Sequence, residues 1–288
     1  MEHEPVKGVP SLERPLYLLT FFTREHPQWS LTELARESDL PKVSCLRLIR
    51  VLEKYSMLAR DGDLYRLGSR LLSLGAQVQE SYPPRRVALP HLNDLRNTTH
   101  QSVQWVVRDG NEGVYLEVIE AQVRVRLFIA PGRRAPLHAG SSTRLLLSFA
   151  PPGVQNAVLY GSLTTYTALT PDTPAKLQPL IDLTRQTWLA ASFGELTPQS
   201  AELAAPVLDA GGEVIAAVSV AGTAQTYRNT ELLLNHLEAL SAATQYISRS
   251  LGYTGEWCAD PHTFVDHLIQ SGGLPSGETE TSSTTGAL

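Results

Sequence analysis

The chain has 288 residues, 42% hydrophobic and 18% charged, enough for two ordinary domains with packed cores and too apolar for a wholly disordered chain. Two cysteines, Cys45 and Cys258, argue against a disulfide framework and fit a reducing cytoplasm, while no apolar run reaches the roughly 18–20 residues of a bilayer span and the first residues show no apolar leader core. The net charge of −5 hides an asymmetry: residues 40–70 carry seven basic side chains (Lys42, Arg47, Arg50, Lys54, Arg60, Arg66, Arg70) against three acids, whereas the rest of the chain beyond residue 70 is acidic. A basic patch on an acidic protein predicts one polyanion-binding face rather than general adhesion.

Taken in chain order, Leu12, Leu16, Leu19 and Phe22 fall at helical spacing and predict an amphipathic first helix over 11–25. Ser30-Leu-Thr-Glu33 has the form of a capping box and opens a short second helix with Leu31, Leu34 and Ala35 inward, ending near Ser38-Asp39. Pro41 suits the first turn of a third helix that reaches about Tyr55. Its buried stripe is Cys45, Leu48, Ile49 and Leu52, and its other face shows Lys42, Val43, Ser44, Leu46, Arg47 and Arg50. Met57–Arg60 and Leu64–Leu67 flank the turn Asp61-Gly62-Asp63 and predict a hairpin. Three helices followed by a hairpin is the order of a winged helix-turn-helix. A helix over 69–81 follows, closed by Pro83-Pro84, and reads as a linker.

Beyond the linker the periodicity alternates. Helices are expected near 86–98, 141–149, 174–188 and 228–250. Strands are expected at Ser102–Arg108, Val114–Glu120, Val123–Ala130, Glu202–Leu208 and Glu213–Ala221. Antiparallel hairpins with flanking helices give an α+β fold, not a doubly wound parallel sheet. From about residue 254 the text drifts toward Gly, Ser, Thr, Pro and Glu and predicts a disordered tail to residue 288. The expected organisation is therefore a winged helix-turn-helix over 1–68, a linker helix over 69–84, a GAF-like α/β sandwich over 85–253 and a tail over 254–288.

The segments ERPLYLL, LTELA, LPK and YRLGSRLLSLG, followed by APLHAG, FGEL and AAPVLDAGGEVIAAVSVAG, resemble the IclR family of bacterial regulators in both content and order, over about residues 11–252. Two departures stand out. Val43-Ser44 and Leu46 replace the family's usual Ser-Thr and His or Tyr, and Thr143-Arg144 replace its usual Gly-Lys. The resemblance implies a transcription regulator rather than an enzyme, with no cofactor, whose partners are a pseudo-palindromic duplex operator, a second copy or three further copies of the chain, and a small-molecule effector. It also implies that the segment Leu137–Ser142, the Glu195 loop and the Ser219 strand line an effector cavity.

Physical reasoning assigns roles within that frame. Lys42, Ser44, Leu46, Arg47 and Arg50 are the expected major-groove face, where Arg and Lys pair with guanine acceptors. Arg60 and Arg66 are expected to hold phosphates from the wing. For the effector, His138, Ser141, Ser142, Glu195, Ser219 and Arg126 are the candidates. The helix opening at Ser141-Ser142 offers amides to an anion, and Arg124 and Arg126 supply positive charge, so an organic acid is expected. Cys258, His262 and His267 match no zinc spacing, and none is assigned to a metal. No phosphate-binding glycine loop, nucleophile elbow or HExxH sequence occurs. Two other readings remain: a constitutive DNA binder whose second domain is only an oligomerisation scaffold, and a metabolite-binding module with a degenerate helix-turn-helix.

Overall fold

The computed structural model describes residues 9–23, 25–121 and 129–275. They form two compact units divided between Ser81 and Tyr82.

The first unit runs α1 (Pro10–Leu19), β1 (Gln28–Ser30), α2 (Leu31–Glu37), α3 (Lys42–Lys54), β2 (Leu58–Asp61), β3 (Leu64–Leu67) and α4 (Ser69–Ser81). Ser30 caps α2 with both halves of a capping box, its hydroxyl accepting from the Glu33 amide and the Glu33 carboxylate accepting from the Ser30 amide. Asp39, at φ 53°, turns the chain between α2 and α3. Leu18, Leu34, Cys45, Ile49 and Leu58 are buried at the centre, with Phe22, Leu52 and Tyr65 around them. Gly62 occupies the first position of the two-residue β2–β3 turn at φ +61°, where primed hairpin turns favour glycine. β1 adds a third antiparallel strand, giving the order β1-β3-β2. Sequence reading did not find it, because three residues carry too little periodicity. A side chain at Gly68 would lie 2.1 Å from the Ser56 carbonyl oxygen, so the exit from the wing requires glycine.

The phase of α1 differs from expectation. Leu18 is fully buried, while Leu12 and Leu16 are 60% and 51% exposed. The helix ends at Leu19, so Phe22 reaches the core through the following turn and not by helical register. α4 buries no side chain within this unit, and Leu72 and Val78 stand exposed.

The second unit runs α5 (Pro83–Thr99), β4 (Ser102–Asp109), β5 (Glu112–Ile119), β6 (Arg134–Pro136), α6 (Ser141–Ser148), α7 (Pro152–Leu159), α8 (Pro174–Thr187), β7 (Ala190–Phe193), β8 (Ser200–Leu208), β9 (Val214–Thr223), α9 (Thr230–Ser250) and α10 (Pro261–Gln270). Its strands form one antiparallel sheet in the order β6-β5-β4-β9-β8-β7. Register shifts at Trp105/Val106 and Val207/Leu208 add local twist, and the sheet curls. Alternate residues serve two cores. Trp105, Leu203, Val218 and Val220 pack against α5, α9 and α10, while Val106, Tyr115, Ala204 and Ala217 pack against α6, α7 and α8. The expected α+β sandwich is thus present. The expected strand Val123–Ala130 falls almost wholly outside the described residues, and Arg124 and Arg126 with it.

The expected disorder from residue 254 does not hold through residue 275. Asp260 caps α10 by accepting from the Thr263 amide, and Phe264, Val265 and Leu268 are buried in the core beneath α9. Trp257 packs edge-on against Trp188 and donates from its indole to Ser241 Oγ. Polar composition masked a ten-residue amphipathic stretch that supplies one wall of that core.

Candidate functional site

The candidate nucleic-acid interface lies on α3. Cys45, Ile49 and Leu52 fix its inward face, so the 100° step per residue turns Val43, Arg47 and Arg50 furthest outward. Arg47 and Arg50 are exposed, as is Val43 at 65%. Ser44 and Leu46 flank this strip and are half-buried. Lys42 is drawn toward α2, where its ammonium donates to Thr32 Oγ1 at 2.8 Å. That bond ties the first turn of α3 to α2. Val43, which sequence reasoning left out of the contact set, stands beside Arg47 as an exposed apolar tip suited to a thymine methyl.

The two wing arginines do not share a face. Arg60 pairs across the ladder with buried Tyr65 and lies over its ring, and its guanidinium donates to the Gly62 carbonyl and approaches Asp63. It shapes its own turn. Arg66 pairs with Ala59 and Gln28 on the opposite face and is exposed. Among the described residues Arg47, Arg50 and Arg66 form no ion pair, so all three guanidinium groups are available to a polyanion.

In the second unit a cavity of about 290 Å³ is walled by Ile129, Leu196, Ala201 and Ala221 and by the polar groups of Tyr115, Ser192, Thr197, Ser200 and Glu202, with Arg133 and Gly140 completing it. It opens among the three segments named from sequence, but through neighbours of the named residues. Gly140 stands in for Ser141 and Ser142, Leu196 and Thr197 for Glu195, and Ala221 for Ser219.

Of the residues that sequence reasoning picked, Ser141, Ser142 and Glu195 adjoin the lining of this cavity, and Arg126 lies outside the described residues. Glu195 is buried and ion-paired with Arg144, itself 1% exposed, at 2.7 Å, and accepts from the Gly140 amide at 2.9 Å. Arg144 also donates to the Ala191 carbonyl. The departure Thr143-Arg144 therefore supplies a buried strut that binds α6 to the Glu195 loop. Ser219 is buried and donates to Gln104 Oε1 at 3.0 Å. His138 is buried, with Nε2 3.0 Å from the Thr164 carbonyl oxygen and its ring stacked on Tyr166; it borders a separate hollow of about 260 Å³.

The α6 amides expected to receive an acid are occupied. Glu202, on β8, accepts from the Ser141 amide at 2.9 Å, from the Ser142 amide at 3.4 Å and from Ser142 Oγ at 2.8 Å. A carboxylate at a helix start is favoured by the helix dipole and by the otherwise unpaired amides. Sequence reading missed Glu202 because it lies 60 residues from the helix it caps. Burial, then the Glu202 carboxylate, push the Tyr115 phenol far above its ordinary value, so it stays a neutral donor. Gly140 holds φ +90° at the mouth, where a Cβ would press on Leu196 and Thr143.

A family model of the IclR helix-turn-helix domain matches residues 11–62, and one of the bacterial transcriptional regulator IclR C-terminal domain matches residues 77–249. The chain belongs to the IclR family. It is 34% identical to the HTH-type transcriptional regulator KipR of Bacillus subtilis, covering 84% of this chain and 96% of KipR. It is 30% identical to XynR of Escherichia coli, covering 85% of this chain and 98% of XynR. Among solved structures, an IclR homolog from Microbacterium hydrocarbonoxydans complexed with 4-hydroxybenzoate superposes with a TM-score of 0.72 at 26% identity, over 83% of this chain and 98% of that one. An IclR regulator from Alicyclobacillus acidocaldarius shares the fold at a TM-score of 0.75 and 24% identity, over 84% and 99% of the two chains. This IclR-family chain is thus a DNA-binding transcription regulator, not an enzyme. No helix among its described residues is long and apolar enough to cross a membrane.

Proposed function

We propose that this regulator binds a pseudo-palindromic operator in the cytoplasm as a homodimer or homotetramer, and that a small organic molecule in the 290 Å³ cavity changes its operator affinity. The observation that carries this is the pairing of functions on one chain: an exposed, ion-pair-free arginine strip on α3 and a separate cavity with apolar walls and converging polar groups. Arg47 and Arg50, with Val43, read bases; Ser44 and Leu46 contact the groove edges; Arg66 holds a phosphate; Lys42 and Arg60 set the geometry of α3 and the wing. Self-association is supported by the exposed apolar strip of α1, where Leu12, Leu16 and Tyr17 are each more than half exposed.

The 4-hydroxybenzoate complex of the Microbacterium relative supports a small organic compound as the ligand class. The seat that sequence reasoning gave to an organic acid, the α6 amides, is held in this chain by Glu202 and Glu195. Mobility-shift titration on the DNA flanking its own gene, repeated with a metabolite panel, tests the reading. Selective, salt-sensitive binding that one metabolite shifts is expected. Operator binding that no metabolite alters, together with no ligand-induced rise in Tm, favours the scaffold reading.

A further inference from the structure

Among the described residues Glu202 is the one acidic group of the cavity wall, and it forms no ion pair with any of them. Its carboxylate is held in place by α6, with the Ser141 and Ser142 amides donating to Oε2 and the Ser142 hydroxyl to Oε1. The anion-binding capacity of the helix start is therefore spent on the protein's own side chain. Among the described lining residues the one cation, Arg133, is exposed. The other polar lining groups, Tyr115, Ser192, Thr197 and Ser200, are neutral hydroxyls. A ligand carboxylate placed at the α6 start would meet Glu202 at contact range, like charge against like charge, with its amides already taken. A protonated amine or amidine there would find an oriented acceptor with lone pairs to spare, hydroxyls around it and apolar walls for its body.

We propose that the effector of this cavity is a small organic cation, an amine or amidine whose nitrogen head faces Glu202. The assignment rests on the effector-cavity reading above and deepens it. The opposite preference to an acid arises from one side chain. Replacing Glu202 by Gln keeps a carbonyl oxygen for the Ser141 amide but removes the charge.

The test uses the full chain and matched probes differing only in head group: benzylamine and benzamidine against benzoate and 4-hydroxybenzoate, with aliphatic amines, amidines and acids of graded length, all by calorimetry and thermal shift. Saturable binding of members of the cationic series, with acids at least tenfold weaker, is expected. Glu202→Gln is expected to weaken the cation at least tenfold and to strengthen benzoate, a reciprocal change that simple loss of the α6 cap does not produce. Because that variant also touches the cap, Thr197→Lys on the exposed rim provides a second measure; it adds a repelling charge and is expected to weaken the cations alone. Tighter binding of an acid than of any cation overturns the proposal, as does a cationic series that fails to bind or whose affinity ignores Glu202→Gln. Operator titrations run in parallel separate the two claims. An acid that binds and shifts the operator complex leaves the regulatory reading standing and removes the cation. A cation that binds through Glu202 without changing operator affinity does the reverse.

Discussion

The α3 face and the α6 start solve opposite problems. On α3 the outward side chains Val43, Arg47 and Arg50 are exposed, the two arginines form no ion pair among the described residues, and the helix beneath them is held by Cys45, Ile49 and Leu52. At α6 the charged side chains are paired or bonded within the protein: Arg144 with Glu195, and Glu202 with Ser141 and Ser142. One surface waits for its partner to supply the counter-charge. The other has supplied its own, from Glu195 to Arg144 and from Glu202 to the start of α6. The difference shows that a residue near a cavity is not thereby a contact; the bonds it already makes decide.

The largest expected effect falls on the self-satisfied side. Glu195→Ala leaves the Arg144 charge buried without its partner and is expected to cost about 3–5 kcal/mol of stability in the second unit. Denaturant unfolding followed by the second-unit tryptophans Trp105, Trp188 and Trp257 checks this; a midpoint within error of the parent would mean the strut carries nothing. On the exposed side, Arg47→Ala is expected to leave folding intact and to weaken operator binding by about 1–3 kcal/mol, with relaxed preference at one base position. Competition against randomised operators reads both quantities, and an unchanged preference removes Arg47 from base readout.

Smaller effects sharpen the contrast. Ser30→Ala removes the α2 cap and is expected to cost about 1 kcal/mol of first-unit stability, seen as a lower thermal midpoint. Arg66→Ala is expected to weaken binding to all sequences alike and to lower the salt slope by about 1, while Arg60→Ala leaves that slope unchanged because its guanidinium is engaged within the wing. Salt titrations of the two variants side by side decide it; equal slopes for both would place them in one role. The smallest effect concerns pH. Burial, with nearby His100, lowers the His236 pKa from its ordinary 6.5, and Tyr227 Oη sits 3.2 Å from its Nδ1. The native state therefore holds His236 neutral, and its contribution to stability is full above the ordinary value and lost as pH falls below it. His236→Gln is expected to flatten the acid limb of a stability–pH profile, and an unflattened limb would assign that limb to other groups.

Local periodicity made most of the first unit legible. The capping box at Ser30, the buried stripe of α3 and the glycine turn of the wing are each written within a few residues, and each is found in place. The phase of α1 is not legible because its helix stops at Leu19, so the pattern of Leu12, Leu16, Leu19 and Phe22 spans a helix end. In the second unit β8 and β9 were legible as long apolar strands, but β7, at four residues, and α7, with weak periodicity, were not. α10 was hidden by the composition around it. The cavity was legible only as a set of segments. Which residue of each segment faces it depends on Glu202 reaching α6 across 60 positions and on Arg144 finding Glu195 across 51, and no spacing rule encodes such pairings.

α10 also carries a consequence for how the chain is made. Its buried residues, Phe264, Val265 and Leu268, complete a core whose other walls begin with Ala88. On a ribosome the first unit is entire once residue 81 has been added, whereas the second lacks a wall until Gln270, roughly ten to forty seconds later at ordinary elongation rates. A nascent chain thus holds a finished DNA-binding unit well before its second unit can close. Premature termination a few codons short of α10 would release a protein still able to fold its winged helix but carrying an open apolar seat, a natural substrate for chaperones and proteases.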